Sequence, residues 1–271
     1  MIDAWDAEER LMGLLTTGDN NYYYGDSYTM ENHVGKYYQQ YIYPYFSFAL
    51  PALYTGAPDR VNRLFPCPGN HDWGRGTLKP YLQYFPGAQN SYFYSVKLGD
   101  SVEAFLIDSN KQHDTITGYG TKPDGVQGTW LKNALAASSA PWKLVLFHHP
   151  PWSSGDHQNN AYMDWPFFAW GAHAVIAGHD HSYERLIRTA GSCRTFPYIV
   201  NGAGGMELRP FKKIQTGSVF RLMEWGAQLV TADAYSLRMD FYAARDRTVR
   251  DSFTLIKDEE SPCGFSSFAS L

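Results

Sequence analysis

Cysteine is scarce in this 271-residue chain, which holds only Cys67, Cys193 and Cys263. The three match no zinc-binding spacing and no dense disulfide framework, which excludes a thiolate metal site and a disulfide-stapled scaffold. Cys67 lies in the apolar run before Gly69 and reads as a small buried hydrophobe. A Cys193–Cys263 bridge is compatible with the sequence but not indicated by it. No apolar stretch reaches the length of about 20 residues that a membrane span needs. There is no block of Lys or Arg, and the net charge is −4 with a pI of about 6.1. Nucleic acid and anionic membrane surfaces are therefore not expected partners. Met1-Ile2-Asp3-Ala4-Trp5-Asp6 lacks the basic start and apolar core of a signal peptide.

What the chain does have is an ordinary globular balance, 44% apolar and 18% charged, with an excess of aromatics at 16%. Length and composition suit a buried core, and the Tyr excess suits a packed core with half-buried hydroxyls without implying a ligand. Apolar spacing predicts a helix from Ala4 towards Leu15 that runs into a strand ending at Gly18, a helix over His33–Tyr45, and a strand at Arg63–Pro66. Tyr92–Leu98 and Val102–Ile107 read as a hairpin split by Gly99-Asp100. A helix over Gln127–Ala137 precedes a strand at Lys143–Phe147, and a helix around Tyr162–Gly171 precedes a strand at Ala174–Ala177. From Phe196 onward the pattern is β-rich. A single domain over residues 1–257 and a loose Ser-rich tail over 258–271 are expected. Strands alternating with helices, then strands alone, predict an α/β fold with two sheets forming a β-sandwich flanked by helices.

Four short segments carry the chemistry: Gly18-Asp19-Asn20-Asn21-Tyr22, Gly69-Asn70-His71-Asp72, His148-His149-Pro150-Pro151-Trp152 and Gly178-His179-Asp180-His181. Each comes after an apolar run, where a strand ends and a loop begins. Taken singly, Asp19 and Asn70-His71-Asp72 read as turn residues, and His148-His149 as half-buried imidazoles. Together they place imidazole, carboxylate and amide groups at four strand ends, the edge where open sheets bind ligands. Imidazole with carboxylate and no thiolate suits zinc, iron, manganese or nickel. Asp19 is the motif carboxylate placed to bridge two ions, a pairing that suits hydrolysis at phosphorus.

With these motifs in this order, the chain resembles the calcineurin-like metallophosphoesterases, and among them the purple acid phosphatases of the tartrate-resistant type. The resemblance runs from about Leu14 to Leu255. It implies the four-layer metallophosphoesterase fold and a binuclear centre, in which iron is paired with zinc, iron or manganese. Asp19 would bridge, Tyr22 and His181 would bind the first ion, and Asn70, His148 and His179 the second. His71 would orient substrate or protonate the leaving alkoxide, with Asp72 either holding that imidazole or capping its loop. His157 and, more weakly, His149 would face the substrate. The implied reaction is hydrolysis of phosphate monoesters by attack of a metal-bound hydroxide, the alternatives being phosphodiester hydrolysis or an impaired homologue with a binding or structural role. The family also has an earlier strand with an Asp ligand to the first ion. Only 18 residues precede Asp19, and Asp3 and Asp6 fall in the predicted helix. The N-terminal strand is thus expected to be absent and the first site weak or empty. Relatives of this type are secreted or periplasmic; without a missing leader the location would be cytoplasmic.

Overall fold

Two apolar triplets begin the functional edge: Leu14-Leu15-Thr16 forms strand β1 (Leu14–Thr16) and Leu64-Phe65-Pro66 forms β2 (Leu64–Pro66), paired in parallel. This is seen in a computed structural model of the protein, which describes residues 1–8, 11–88, 91–111, 114, 118 and 120–270. A helix, α1 (Ile2–Glu8), precedes β1, so the predicted helix stops well before Leu15. Asp6 there accepts from the Leu11 N–H and pairs with Arg63, while Asp3 accepts from Tyr41 and Gln40. Both carboxylates are thus bound in local structure.

The main sheet has seven strands in the order β3-β4-β5-β6-β8-β7-β9. They are β3 (Tyr94–Leu98), β4 (Val102–Leu106), β5 (Trp142–Leu146), β6 (Ala174–Ala177), β7 (Tyr183–Ala190), β8 (Cys193–Asn201) and β9 (Ser218–Leu222). β4, β5, β6 and β8 run parallel, and the other neighbours are antiparallel. Every residue of β4 and β6 is buried, as expected for strands covered on both faces; β6 is wholly apolar, and Glu103 of β4 is satisfied by Ser95 and Ser138. At the edge, β9 alternates between half-buried and exposed positions. The helix α2 (Val126–Ala137) covers one face through Leu131 and Leu135.

A second sheet is an antiparallel meander, β10 (Gly226–Ala232), β11 (Ser236–Ala243), β12 (Val249–Lys257) and β13 (Phe265–Ser270). Its buried Leu237, Met239, Phe241, Phe253 and Leu255 pack into the same apolar core as the main sheet. Tyr183 of β7 stacks on Phe241 of β11 at 4.2 Å, and its hydroxyl donates to Asp251. Arg185 adds a two-pronged pair with the same Asp251. The expected α/β architecture with two large sheets is present; among the described residues β1 and β2 form a two-stranded sheet of their own.

Three expectations fail locally. The segment from His33 to Tyr45 is no continuous helix but a π turn (Glu31–Gly35), one α turn (Lys36–Tyr38) and a 3-10 turn (Gln39–Tyr41). Buried Glu31 accepts from Tyr45, Ser47 and the Phe48 N–H, and so ties its own turn to the loop at 45–48. Around Tyr162–Gly171 only a 3-10 turn (Ala161–Met163) and tight turns form, because Pro166 interrupts helical bonding. The tail from Asp258 is not loose: it returns as β13 on β12, and a Cys193–Cys263 disulfide ties it to β8.

Candidate metal centre

All four motifs lie at the carboxyl ends of their strands, Asp19 after β1, Asn70 after β2, His148 after β5, and His179 and His181 after β6. Asp19 and His179 hold left-handed backbone angles, φ 56° and 68°, which the surrounding packing must enforce. Gly18 lets β1 approach β5: a Cβ there would lie 2.6 Å from His148 Nδ1. Gly69 lets the second motif reach the first, since a Cβ would run into the Asp19 carboxylate.

The result is two groups of donor atoms that share one oxygen. Asp19 Oδ2 is 3.1 Å from His148 Nε2 and 3.1 Å from the Tyr22 hydroxyl. His148 Nε2 is in turn 3.0 Å from Asn70 Oδ1 and 3.1 Å from His179 Nδ1. On the other side the Tyr22 hydroxyl is 3.3 Å from His181 Nε2. Ligands on a shell of radius about 2.1 Å have neighbours roughly 3.0 to 3.4 Å apart. The donor spacing therefore fits metal ions as well as hydrogen bonds. Outer contacts fix the rings: His148 Nδ1 faces the Thr17 carbonyl and His181 Nδ1 the Glu207 carbonyl, both at 2.8 Å. Donating Nδ1–H outward leaves the Nε2 lone pair directed into the centre.

Electrostatics agree with a cation site. Burial alone would push the Asp19 carboxyl up, but His148 and His71 hold it well below the usual range. Burial pushes the imidazoles of His179 and His181 down, and that of His149 to about 3. Burial and the nearby Asp19 push the Tyr22 phenol up. At His148 burial is outweighed by the Asp19 carboxylate, which raises the imidazole. An ionised carboxylate with the neutral imidazoles of His179 and His181 beside it favours a positive guest, which would also ease ionisation of Tyr22.

Asp19, Tyr22, Asn70, His148, His179 and His181 thus converge as expected. His149 also reaches the centre, its ring 4.5 Å from that of His179, and His148, His149 and His179 bring their ligand atoms within 4.8 Å of one another. His157 stacks on His179 at 4.2 Å. His71 borders the centre with Nε2 4.0 Å from Asp19 Oδ2. Of the two roles expected for Asp72, the structure shows the loop-capping one: it does not hold His71, whose Nδ1 faces the Tyr23 carbonyl at 2.7 Å. Fully buried, Asp72 accepts from the Gly69, Asn20 and Asn21 N–H groups and the Asn20 amide, stapling the first two motif loops together.

Other residues of the centre were not legible from the motifs. Ser109, after β4, accepts from the His149 N–H at 2.8 Å and sits 2.9 Å from its Nδ1. Arg209 lies in the loop between β8 and β9, with Nη1 2.7 Å from His157 Nε2. The only sequence signal for Ser109 was its place just past a strand end, and Arg209 had none. Tyr183, Glu184 and Arg185 anchor the last motif, Glu184 by accepting from Ser154.

Comparison with known proteins now defines the class. The calcineurin-like phosphoesterase family pattern matches residues 5–183, and that of the iron/zinc purple acid phosphatase-like protein C matches residues 196–252. The chain belongs to the calcineurin-like phosphoesterase family, with a C-terminal part that matches the purple acid phosphatase-like pattern. Human tartrate-resistant acid phosphatase type 5 is 28% identical over 169 residues, covering 54% of this chain and 50% of that protein. Mouse acid phosphatase type 7 is 27% identical over 199 residues, covering 59% and 44%. The chain thus spans half or less of the length of these relatives. Among solved structures, purple acid phosphatase PPD1 from yellow lupin (Lupinus luteus) seeds shares the fold with a TM-score of 0.64 at 18% identity, over 76% of this chain and 43% of that one. GAP50, the anchor in the inner membrane complex of Plasmodium, shares it with a TM-score of 0.68 at 15% identity, over 96% and 83%.

Proposed function

We propose that the protein is a binuclear metal-dependent phosphatase that hydrolyses phosphate monoesters. The observation that carries the reading is Asp19 Oδ2, 3.1 Å from both His148 Nε2 and the Tyr22 hydroxyl. Asp19, Asn70, His148 and His179 would hold one ion, and Asp19, Tyr22 and His181 the other. The donor set of imidazole, carboxylate, amide and phenol, without thiolate, suits iron with zinc, iron or manganese. When bound, the ions supply Lewis-acid charge for the phosphoryl group and a water acidified towards neutral pH.

The chain's own residues orient and protonate. His71 donates Nδ1–H to the Tyr23 carbonyl. Its Nε2 can then give a proton to a leaving oxygen only from the imidazolium form. His149, held by Ser109, borders the same face. The Cys193–Cys263 disulfide supports an oxidising location, periplasmic or extracellular.

The test is metal content per chain together with hydrolysis of 4-nitrophenyl phosphate and its bis-ester. Two ions per chain and faster cleavage of the monoester are expected. Preference for the diester would turn the reading to a phosphodiesterase. One ion or fewer with no hydrolysis of either would leave an impaired homologue that keeps the fold.

A further inference from the structure

We propose that Arg209 is the residue that grips the phosphoryl oxygens of the substrate, in the role that the motif resemblance gives to His157. The inference rests on the phosphatase reading for the identity of the anion, and on geometry for the residue.

The loop from Gly202 to Gly217 joins β8 to β9 and crosses beside the metal centre. It is clamped there at two points: the Glu207 carbonyl faces His181 Nδ1 at 2.8 Å, and the Arg209 N–H donates to the His181 carbonyl at 3.0 Å. From this fixed base the Arg209 side chain turns to His157, with Nη1 2.7 Å from Nε2. His157 in turn stacks on His179 at 4.2 Å and an interplanar angle of 24°. The guanidinium is therefore one imidazole ring removed from a metal-ligand position.

Hydrogen-bond chemistry assigns the roles. A guanidinium has five N–H donors and no acceptor, so His157 Nε2 must accept. An Nε2 that accepts from Arg209 cannot donate to a phosphoryl oxygen. His157 then keeps its N–H on Nδ1, and on the Nε2 side the donor is Arg209, whose side chain is 31% exposed. Its ties to His157 and to Asp156 Oδ2, the latter at 3.7 Å, both run through Nη1. The Nε–Nη2 edge is the fork that suits two phosphate oxygens. Asp156 also faces Lys212 Nζ at 3.3 Å, so its carboxylate is shared between two cations.

The experiment is calorimetric titration of the metal-loaded protein with inorganic phosphate at fixed ionic strength, with 4-nitrophenyl phosphate kinetics alongside. Arg209→Ala is expected to raise the phosphate Kd and the KM by about 10- to 100-fold, the value of a hydrogen bond to a charged group. kcat should fall far less, and metal content and Tm should not change, which a merely structural role would not give. Arg209→Lys keeps the charge but not the fork and should recover part of the affinity. His157→Ala should cost less than Arg209→Ala. An unchanged phosphate affinity in Arg209→Ala, or a larger loss in His157→Ala, overturns the inference. A protein that cleaves no phosphomonoester yet binds phosphate through Arg209 would refute the phosphatase reading and keep this one. A protein that binds no phosphate at millimolar concentration would overturn the inference whatever its activity.

Discussion

Asp19 and His148 meet at 3.1 Å, carboxylate Oδ2 to imidazole Nε2, although the two strand ends that carry them lie far apart in the chain. The same oxygen touches the Tyr22 hydroxyl, so it borders both donor groups. Asp19→Asn keeps the shape but removes the charge that holds two cations together. Metal content is expected to fall from two ions per chain to one or fewer. Outer-sphere partners of metal ligands are worth about 10- to 100-fold, so loss of this ligand should cost at least about 100-fold in hydrolysis. Asn70→Ala is the contrast and should release one ion only. Elemental analysis of the two variants beside the parent distinguishes a shared ligand from an ordinary one.

Asp72 carries a different burden. It receives four hydrogen bonds from Gly69, Asn20 and Asn21 while fully buried. Asp72→Ala would strand those donors, at about 1 to 3 kcal/mol for each that water cannot reach. Denaturant unfolding should therefore show a loss of about 3 kcal/mol or more. A loss of activity with unchanged stability would instead return Asp72 to the catalytic group.

The contrast between Asp72 and Asp19 shows what the sequence could and could not disclose. Asp19, Asn70, His148 and His179 were legible because each comes after an apolar run, and strand ends on one edge converge whatever the details of the sheet. The central strands were legible for a related reason: a run buried on both faces, such as Ala174–Ala177, needs no register to be recognised. The role of Asp72 stayed open between holding His71 and capping its loop, because its partners include backbone N–H groups of a loop 51 positions away, which no local pattern encodes. Arg209 and Ser109 were missed because loops bring them in, and loop paths depend on pairings such as that of Arg209 N–H with the His181 carbonyl. The helix predicted around Tyr162 failed where Pro166 and the packing of Trp165 and Phe167 overrode helical spacing.

The Cys193–Cys263 bridge closes a loop across 70 residues and holds the turn that leads into β13. Loop-entropy arithmetic for a loop of that size gives about 4 kcal/mol. Replacing both cysteines with alanine should lower stability by up to that amount, with the earliest gain in hydrogen exchange in Phe265–Ser270 and its partner β12. The metal centre, on other strands, should keep its ions. Uniform exchange across all the strands would show that β13 is not a separately anchored element.

Asp108 gives the expected pH dependence of stability. It lies fully buried at the end of β4, with Oδ2 accepting from Trp73 Nε1 and Oδ1 from the Asn110 N–H, each at 2.8 Å. Burial outweighs those bonds and pushes the carboxyl from 3.8 up to about 8. The folded chain then keeps a proton that the unfolded chain has already released. Stability from this group is complete below about 3.8 and is lost as pH rises through about 8. Asp108→Asn removes the titration while keeping the size. Thermal unfolding of the parent should fall more steeply than that of the variant as pH rises through this window. Parallel curves would mean that the Trp73 and Asn110 donors keep Asp108 ionised in the folded protein, and that burial does not decide its charge.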